Sequence, residues 1–369
     1  VQYKNDARVV LTLDAGGTKF SFSAMAGGEE IVAPVEYPSH ADNLELCLKT
    51  ITDGFSEVAS RVKTKPAAIS FAFPGPSYYP EGIIGDLGNL PAFRGGVPLG
   101  PMLAHKFGVP VFINNDGDLF ALGEALGGFL PYINHKLEAA GSTKRYKNLI
   151  GLTIGTGLGG GIVHNGRLFI GDNSAAGEVW LLRNTKHPHT FMEESVCIRA
   201  VQRVYRENTS TRQDEVLTAK QIFEIARGER DGNQAAAEQA FAELGAALGE
   251  CIANVVTLVD GLVVVGGGLS NAYALFATAM MQSLRNGIEN FDRSRTINRL
   301  ELDCFDLENS AELPKFLQGE MKQLSVPAGE RKIHYDAMKR TGIGSSRLGT
   351  SRAVSLGAYV FALGELGSL

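Results

Sequence analysis

Residues 8–13 read RVVLTL, a β-branched apolar run, and after DAGGTK the segment FSFSAM alternates large and small side chains. This pattern predicts two strands joined by a glycine turn. Residues 42–63 place Leu44, Leu48, Ile51, Phe55 and Val58 at three- and four-residue steps, which predicts an amphipathic helix. AAISFAFPG and VPVFINND are apolar runs that stop at Gly, Pro, Asn and Asp, as strands buried on both faces do. LFALGEALGGFL predicts a helix ending at Gly127–Gly128. A polar stretch, HKLEAAGSTKRYKN, follows, and then the pattern restarts. LIGLTIG predicts a strand, a glycine loop comes next, and GIVHNGRLFIG continues it. Helices are expected over roughly 190–208, 218–227 and 233–258, then a strand at GLVVVGGGLS, a helix from about 272 and a final helix from near Ser351. The segment 301–320 holds six acids and one lysine with weak periodicity, and is expected to be a surface insertion.

Two α/β halves therefore each open with a strand, a glycine turn and another strand, which suggests an internal duplication. The expected division is an N-terminal α/β lobe over 1–128 with the helix 351–369 returning to it. A second α/β lobe spans 129–350 and carries an insertion near 300–335.

A chain of 369 residues suits two domains, and 44% apolar with 20% charged residues is a globular composition. A net charge of −5 argues against nucleic acid as a main partner, because phosphate backbones need clustered Lys and Arg. An anionic small ligand would need local donors and a metal ion. Cys47, Cys197, Cys251 and Cys304 are scattered, with neither zinc nor disulfide spacing, and suit a reducing compartment. No stretch approaches the roughly 20 apolar residues of a membrane span, and no secretory signal is read, so a cytoplasmic protein without a membrane partner is expected.

In IGTGLGGGIVHNG, residues 154–166, Gly155, Gly157 and Gly160 fit the G-x-G-x-x-G spacing of a dinucleotide-binding turn. That turn requires the third glycine to open a helix. Here Asn165–Gly166, a strong hairpin signal, and then RLFIG follow instead, so the loop joins strand to strand. A glycine hairpin still suits phosphate, because backbone N–H groups without Cβ atoms around them can converge on an anion. DAGGTK at 14–19 offers the same device plus the Thr18 hydroxyl, and neither loop is a Walker sequence. Two such loops could grip a triphosphate.

LDAGGTK, INNDGDLFALGEALGG, IGTGLGGGIVHNGRLFIGDNSAAGE and VVVGGGLS resemble, in order, the motifs of the ROK family. That family comprises sugar kinases, repressors and relatives within the actin-like ATPase superfamily. The resemblance runs from residue 8 to residue 369 apart from the insertion. It implies a two-lobed actin-like ATPase (ribonuclease H-like) α/β fold with an interlobe active-site cleft, ATP and Mg²⁺ as cofactors, and a homodimer.

Phosphoryl transfer to a hydroxyl needs an aligned acceptor, a base for its proton and neutralised γ-phosphate charge. Asp116 ends VPVFIN and precedes a helix, where α/β folds place ligands. From position alone it is equally a helix N-cap; its match to the family's Asn-Asp motif assigns it as the base. Asp118 and Glu124 match that role less well. The resemblance further implies that Asn115, Asn89, Glu178 and Glu193 bind sugar hydroxyls and that Gly75 lies under the sugar. Asp14 would hold Mg²⁺ through waters. Gly16, Gly17, Thr18, Lys19, Gly155, Thr156 and Gly157 would contact phosphates, and Gly266, Gly267 and Gly268 would border the adenosine. Asn115, Asn89, Glu178, Glu193, Asp14 and Lys19 each have an ordinary alternative as a turn, helix-start or solvated residue, and Thr18 and Thr156 as strand threonines.

The family motif after Glu178 continues to Gly-His, where this chain has Trp180 and Leu181, and RNTKHPHTF replaces the family's cysteine cluster. A structural zinc is not expected, and His187 and His189 read as loop residues. The expected function is an ATP-dependent kinase for the 6-OH of a hexose or N-acylhexosamine. The alternative is a non-catalytic sugar-binding or sugar-sensing ROK regulator.

Overall fold

The computed structural model describes residues 2–16, 18–75, 77–86, 91–209, 217–327 and 329–367. Two compact units are present: Val1–Gly128 with Gly161–Gly177 and Leu348–Leu369, and Phe129–Gly160 with Glu178–Arg347. The sequence pattern puts 129–350 in one lobe. Contacts instead group Gly161–Gly177 with the first unit.

The first unit is built on β1 (Val10–Ala15), β2 (Lys19–Ala26), β3 (Glu29–Pro38), α1 (Leu44–Arg61), β4 (Ala68–Ala72), β5 (Ser77–Tyr78), β6 (Ile83–Ile84), α2 (Leu99–Phe107), β7 (Val111–Asn114) and α3 (Asp116–Leu126). Its sheet runs β3-β2-β1-β4-β7, an antiparallel meander continued by parallel strands. Every residue of β4 is buried, as its continuous apolar run requires. The expected helix at 42–63 is α1, started by Asn43, whose side chain accepts from the Leu46 N–H. Phe22, Phe55, Phe71 and Phe73 fill the core beneath it, with Phe22 and Phe55 edge-to-face at 5.1 Å.

A helix that the pattern did not announce, α4 (Phe129–Ala139), precedes the polar stretch and takes in its first residues, 135–139, burying Phe129, Leu130, Ile133 and Leu137. The second unit then continues through β8 (Leu149–Ile154), β9 (Leu158–His164), β10 (Arg167–Leu168), α5 (Ile198–Glu207), α6 (Ala219–Ala226), α7 (Gln234–Val259), β11 (Leu262–Gly266), α8 (Tyr273–Arg285), β12 (Gly287–Glu289), β13 (Thr296–Asn298), β14 (Asp303–Asp306), α9 (Leu313–Gln318), β15 (Met321–Ser325), β16 (Lys332–Asp336) and β17 (Arg340–Ser345). Contact grouping places the end of β9 and all of β10 with the first unit. The strand order β10-β9-β8-β11-β17-β14 repeats the first sheet's plan of a meander followed by parallel strands. Both sheets thus share the plan of strand, glycine turn and strand on which the expected duplication rests.

The acidic segment 301–320 differs from expectation. Its residues 303–306 form β14, the parallel edge strand beside β17, with Cys304 and Asp306 buried. The Asp306 carboxylate accepts from the Tyr273 hydroxyl at 2.9 Å, so an acid here marks a buried hydrogen bond rather than solvent. The two-stranded ribbons β12–β13 and β15–β16 do lie on the surface, with Ile288, Ile297, Leu324 and Ile333 exposed. Among the described residues, α7 alone has the length and apolar composition to cross a membrane, and its inward side chains belong to the second core.

The last helix, α10 (Thr350–Glu365), crosses α3 at glycines. A Cβ on Gly123 would lie 1.9 Å from the Ala353 carbonyl oxygen, and one on Gly357 would lie 1.9 Å from that of Leu119. Only glycine permits backbones this close.

Candidate active site

In the first unit, β7 delivers Asn115 and Asp116 to the start of α3. The N-cap is Asn115, not Asp116: its Oδ1 accepts from the Gly117 N–H at 2.8 Å. Asp116 Oδ1 accepts from the same N–H at 2.9 Å, so the helix start orients both side chains. Solvent reaches Asp116, yet dense surrounding protein strips bulk hydration and raises its pKa above the ordinary aspartate value. The Gly117 N–H works against that rise, and the Asp14 charge adds to it.

Gly75 belongs to the same cluster. A Cβ there would meet the Tyr79 hydroxyl at 3.0 Å and Asn115 Nδ2 at 3.9 Å. Tyr79 was not singled out from sequence. Its hydroxyl donates to the Phe73 carbonyl at 3.1 Å, and burial raises its pKa against a hydrogen bond with Asn115. No sequence spacing relates position 79 to position 115; only the fold joins them. Glu124 is fully buried and accepts from the Leu348 N–H at 3.0 Å, so it ties α3 to the chain entering α10. Asp118 is buried in the first turn of the helix.

Asp14 is the penultimate residue of β1, with its side chain exposed. Surrounding protein raises its pKa and the Lys19 charge lowers it. Lys19 Nζ lies 2.6 Å from Glu36 Oε1, an exposed pair across β2 and β3. Gly16 is close-packed, since a Cβ would lie 2.9 Å from the Lys19 carbonyl oxygen, and Thr18 is exposed. Gly17 and Asn89 lie outside the described residues.

In the second unit, β8 and β9 are joined by a bend at 155–157, and no helix follows Gly160. Asn165 and Gly166 then make a hairpin to β10, with φ of 52° and 76°, both in the left-handed region. The dinucleotide-turn alternative is thereby excluded. The bend closes through Gly155 N–H to the Gly157 carbonyl at 2.9 Å. It is braced from outside by Glu193 and Arg199. Glu193 Oε2 accepts from the Leu158 N–H at 3.0 Å, and its Oε1 accepts from Arg199 Nη2 at 2.9 Å. Arg199 Nη1 in turn donates to the Thr156 carbonyl at 3.0 Å. Glu193 therefore touches the glycine bend directly, which no motif at that position announced.

The glycines after β11 come to the same place. A Cβ on Gly155 would sit 3.8 Å from the Gly268 N, and Gly267, with φ +85°, leaves no room beside the Ile154 backbone. The bend after β8 and the glycines after β11 thus meet through Gly155, Gly267 and Gly268 at the ends of two neighbouring parallel strands, with Gly266 buried as the last residue of β11. This is where α/β sheets accept ligands.

Glu178 precedes a short 3₁₀ turn, Val179–Leu181, and accepts from the Trp180 indole N–H. The following loop is organised by Asn184, which is buried. It accepts from the N–H groups of Lys186 and His187 and donates to Ser195 Oγ at 2.7 Å. His187 and His189 lie in this loop, and among the described residues no three His, Cys, Asp or Glu side chains gather as a metal-binding group.

The model of the ROK family matches residues 10–299. The chain belongs to the ROK family. A glucokinase from Parabacteroides distasonis ATCC 8503 is 50% identical, with a TM-score of 0.90 and 99% of each chain covered. An N-acetyl-D-glucosamine kinase of Vibrio parahaemolyticus serotype O3:K6 (strain RIMD 2210633) is 32% identical over 271 residues, 70% of this chain and 83% of that protein. A ROK hexokinase from Thermus thermophilus, 19% identical with a TM-score of 0.66, shares the fold over 96% of this chain and 98% of that one. The fold is the actin-like ATPase fold of ROK sugar kinases, and the chain is a carbohydrate kinase. The family match ends at residue 299, so β14 to β17 and the β15–β16 ribbon lie beyond it.

Proposed function

We propose that this ROK kinase transfers the γ-phosphoryl group of ATP to the 6-hydroxyl of glucose or N-acetylglucosamine, with Asp116 as the base. The observation that carries this reading is the start of α3. There one N–H, from Gly117, orients both Asn115 and Asp116, and the Asp116 carboxyl is raised in pKa while still open to solvent. A base is most effective when its pKa is drawn toward the working pH. The two sugars are the acceptors named for the glucokinase and the N-acetyl-D-glucosamine kinase relatives.

ATP brings the transferable group, and Mg²⁺ neutralises part of its charge. The other tasks fall to this chain. Asp116 takes the proton of the attacking hydroxyl. Asn115, Asn89, Gly75, Glu178 and Glu193 hold the sugar so that this hydroxyl is presented to the phosphorus. N–H groups of Gly16, Gly17 and the bend at Gly155–Gly157, with Thr18, Thr156 and Lys19, bind phosphate oxygens, and Gly266–Gly268 accept the nucleoside. Asp14 suits hydrated Mg²⁺: its side chain is exposed near the end of the first strand, and among the described residues no hydrogen bond to its carboxylate competes with the ion's water shell. Lys19 must leave Glu36 to reach a phosphate, an exchange between exposed partners that involves little energy.

A cytoplasmic location and a homodimer follow from the same reading. Sedimentation should return twice the chain mass, and a single-chain mass would remove the dimer.

The deciding experiment is ADP release with Mg-ATP against glucose, N-acetylglucosamine, N-acetylmannosamine, mannose and fructose, with Asp116→Asn beside the wild type. Turnover on glucose or N-acetylglucosamine, lowered about 10³-fold by the substitution, is expected. Binding of a sugar with no turnover on any of them would favour the regulatory reading instead.

A further inference from the structure

Trp180 is the only tryptophan in the chain. It stands two residues after Glu178, in the turn Val179–Leu181, and its indole N–H donates to Glu178 Oε2. Among the described residues, no other side chain bonds that carboxylate. Among the described residues, one oxygen is thus committed to the indole, and the other, Oε1, has no side-chain partner on this half-exposed residue. An indole has a single N–H and no acceptor, so this bond fixes the carboxylate without supplying a group that could replace a sugar hydroxyl.

The ring is itself held. It packs edge-on against Phe191, with centroids 5.6 Å apart and planes at 90°. Phe191 is fixed in turn, because Arg183 and Phe191 pair as a β-bridge and the Met192 N–H donates to the Leu182 carbonyl at 2.7 Å. Buried Asn184 closes the loop between them through Lys186, His187 and Ser195. A half-exposed glutamate on a short turn would ordinarily sample several rotamers, and ordering it would weaken whatever it binds. Here the ordering is done before any ligand arrives.

We propose that Trp180 is a positioning residue for the acceptor sugar: it holds one oxygen of Glu178 so that the other is presented to a sugar hydroxyl. This rests on the reading of Glu178 as a sugar ligand. The side chain would act on sugar binding and not on the proton or the phosphoryl group, so its signature is a change in the sugar's KM with ATP's left alone.

The sole tryptophan makes the test direct. Wild-type enzyme is titrated with glucose and with N-acetylglucosamine, without ATP, while indole emission is followed. Saturable change is expected with whichever sugar is turned over, because a hydroxyl bonding to Glu178 alters the charge beside the indole. Mg-ATP alone should leave emission unchanged. In parallel, Trp180→Phe keeps a ring against Phe191 but removes the N–H. It should raise the sugar's KM about tenfold, as loss of a hydrogen bond to a charged group does, with kcat and the KM for ATP within about threefold of wild type. Indifference of the emission to a saturating sugar that is turned over would overturn the proposal, as would an unchanged sugar KM in Trp180→Phe. The emission titration needs no variant, so poor folding of Trp180→Phe leaves the test intact. Absence of turnover on every sugar would count against the kinase assignment of these residues and is read separately, in the ADP assay.

Discussion

At the scale of single residues, Asp116 carries two opposed demands. Its raised pKa means that the folded chain binds a proton there more tightly than the unfolded chain does. The charged carboxylate therefore works against folding. That penalty is absent below the unfolded pKa, grows as pH rises through the window up to the folded pKa, and is fully present at neutrality. Asp116→Asn keeps an oxygen to accept the Gly117 N–H and loses the charge. Its thermal midpoint at pH 7 should equal or exceed that of the wild type while turnover collapses, and a midpoint several degrees lower would show the carboxylate to be a structural group. The acid limb of the wild-type kcat profile should lie above the ordinary aspartate value of about 3.9. An acid limb at or below that value would assign the base elsewhere. The sequence made Asp116 and Asn115 visible because strand, Asn-Asp and helix are contiguous. It could not tell which of the two caps the helix, since both residue types favour that position. Tyr79 and Asn184 were invisible for a different reason: each acts through burial and a hydrogen bond to a residue chosen by the fold.

At the scale of elements, the glycines that matter are those where backbones meet. A Cβ on Gly161 of β9 would lie 2.5 Å from the Gly117 carbonyl oxygen and 2.7 Å from the Asp118 Cα. Both are backbone atoms of the first turn of α3, the turn that orients Asp116, and neither can swing aside. Gly161→Ala should therefore cost about 1–3 kcal/mol of stability through overpacking. It should also lower kcat about tenfold or more, since a displacement of a few tenths of an ångström is passed directly to the base. Full activity in a destabilised Gly161→Ala protein would show that the helix start absorbs the insertion without moving the carboxylate. Elements were legible wherever local chemistry was sufficient. The Asn165–Gly166 hairpin was legible because both residues accept positive φ, and α1 because its apolar stripe repeats at helical spacing. Strand β14 was hidden by its acids, which look solvated until Tyr273 is seen to donate to Asp306. Helix α4 was hidden behind the charged tail of its own outer face.

At the scale of the whole molecule, the two units possess separate cores. One is built from Val9 to Ile113 around the first sheet, and the other from Ile150 to Ile343 around the second. A chain with two cores need not unfold in one step. Each core has a site whose disturbance should stay local. In the first unit, a methyl group on Gly357 would lie 1.9 Å from the Leu119 carbonyl and push α10 off α3. In the second, Arg340 and Asp336 form a buried pair at 2.7 Å, with Arg340 Nε also donating to the Phe316 carbonyl. Burial alone would raise the pKa of Asp336, but hydrogen bonds from the Glu320 N–H and Arg340 outweigh it and the pKa is lowered. Its stabilising contribution is thus present above the unfolded carboxylate pKa and is lost as pH falls through the lower folded value. Asp336→Asn leaves a buried guanidinium without its counter-charge, a change of about 3–5 kcal/mol. Calorimetry of the ligand-free protein should resolve two transitions. Gly357→Ala should lower one of them by several degrees, and Asp336→Asn should lower the other by roughly 10 °C. Acidification below about pH 4 should act on the second in the same sense as Asp336→Asn. A single transition that both substitutions shift together would mean that the two cores unfold as one cooperative body, and the division into separately stable units would then fail.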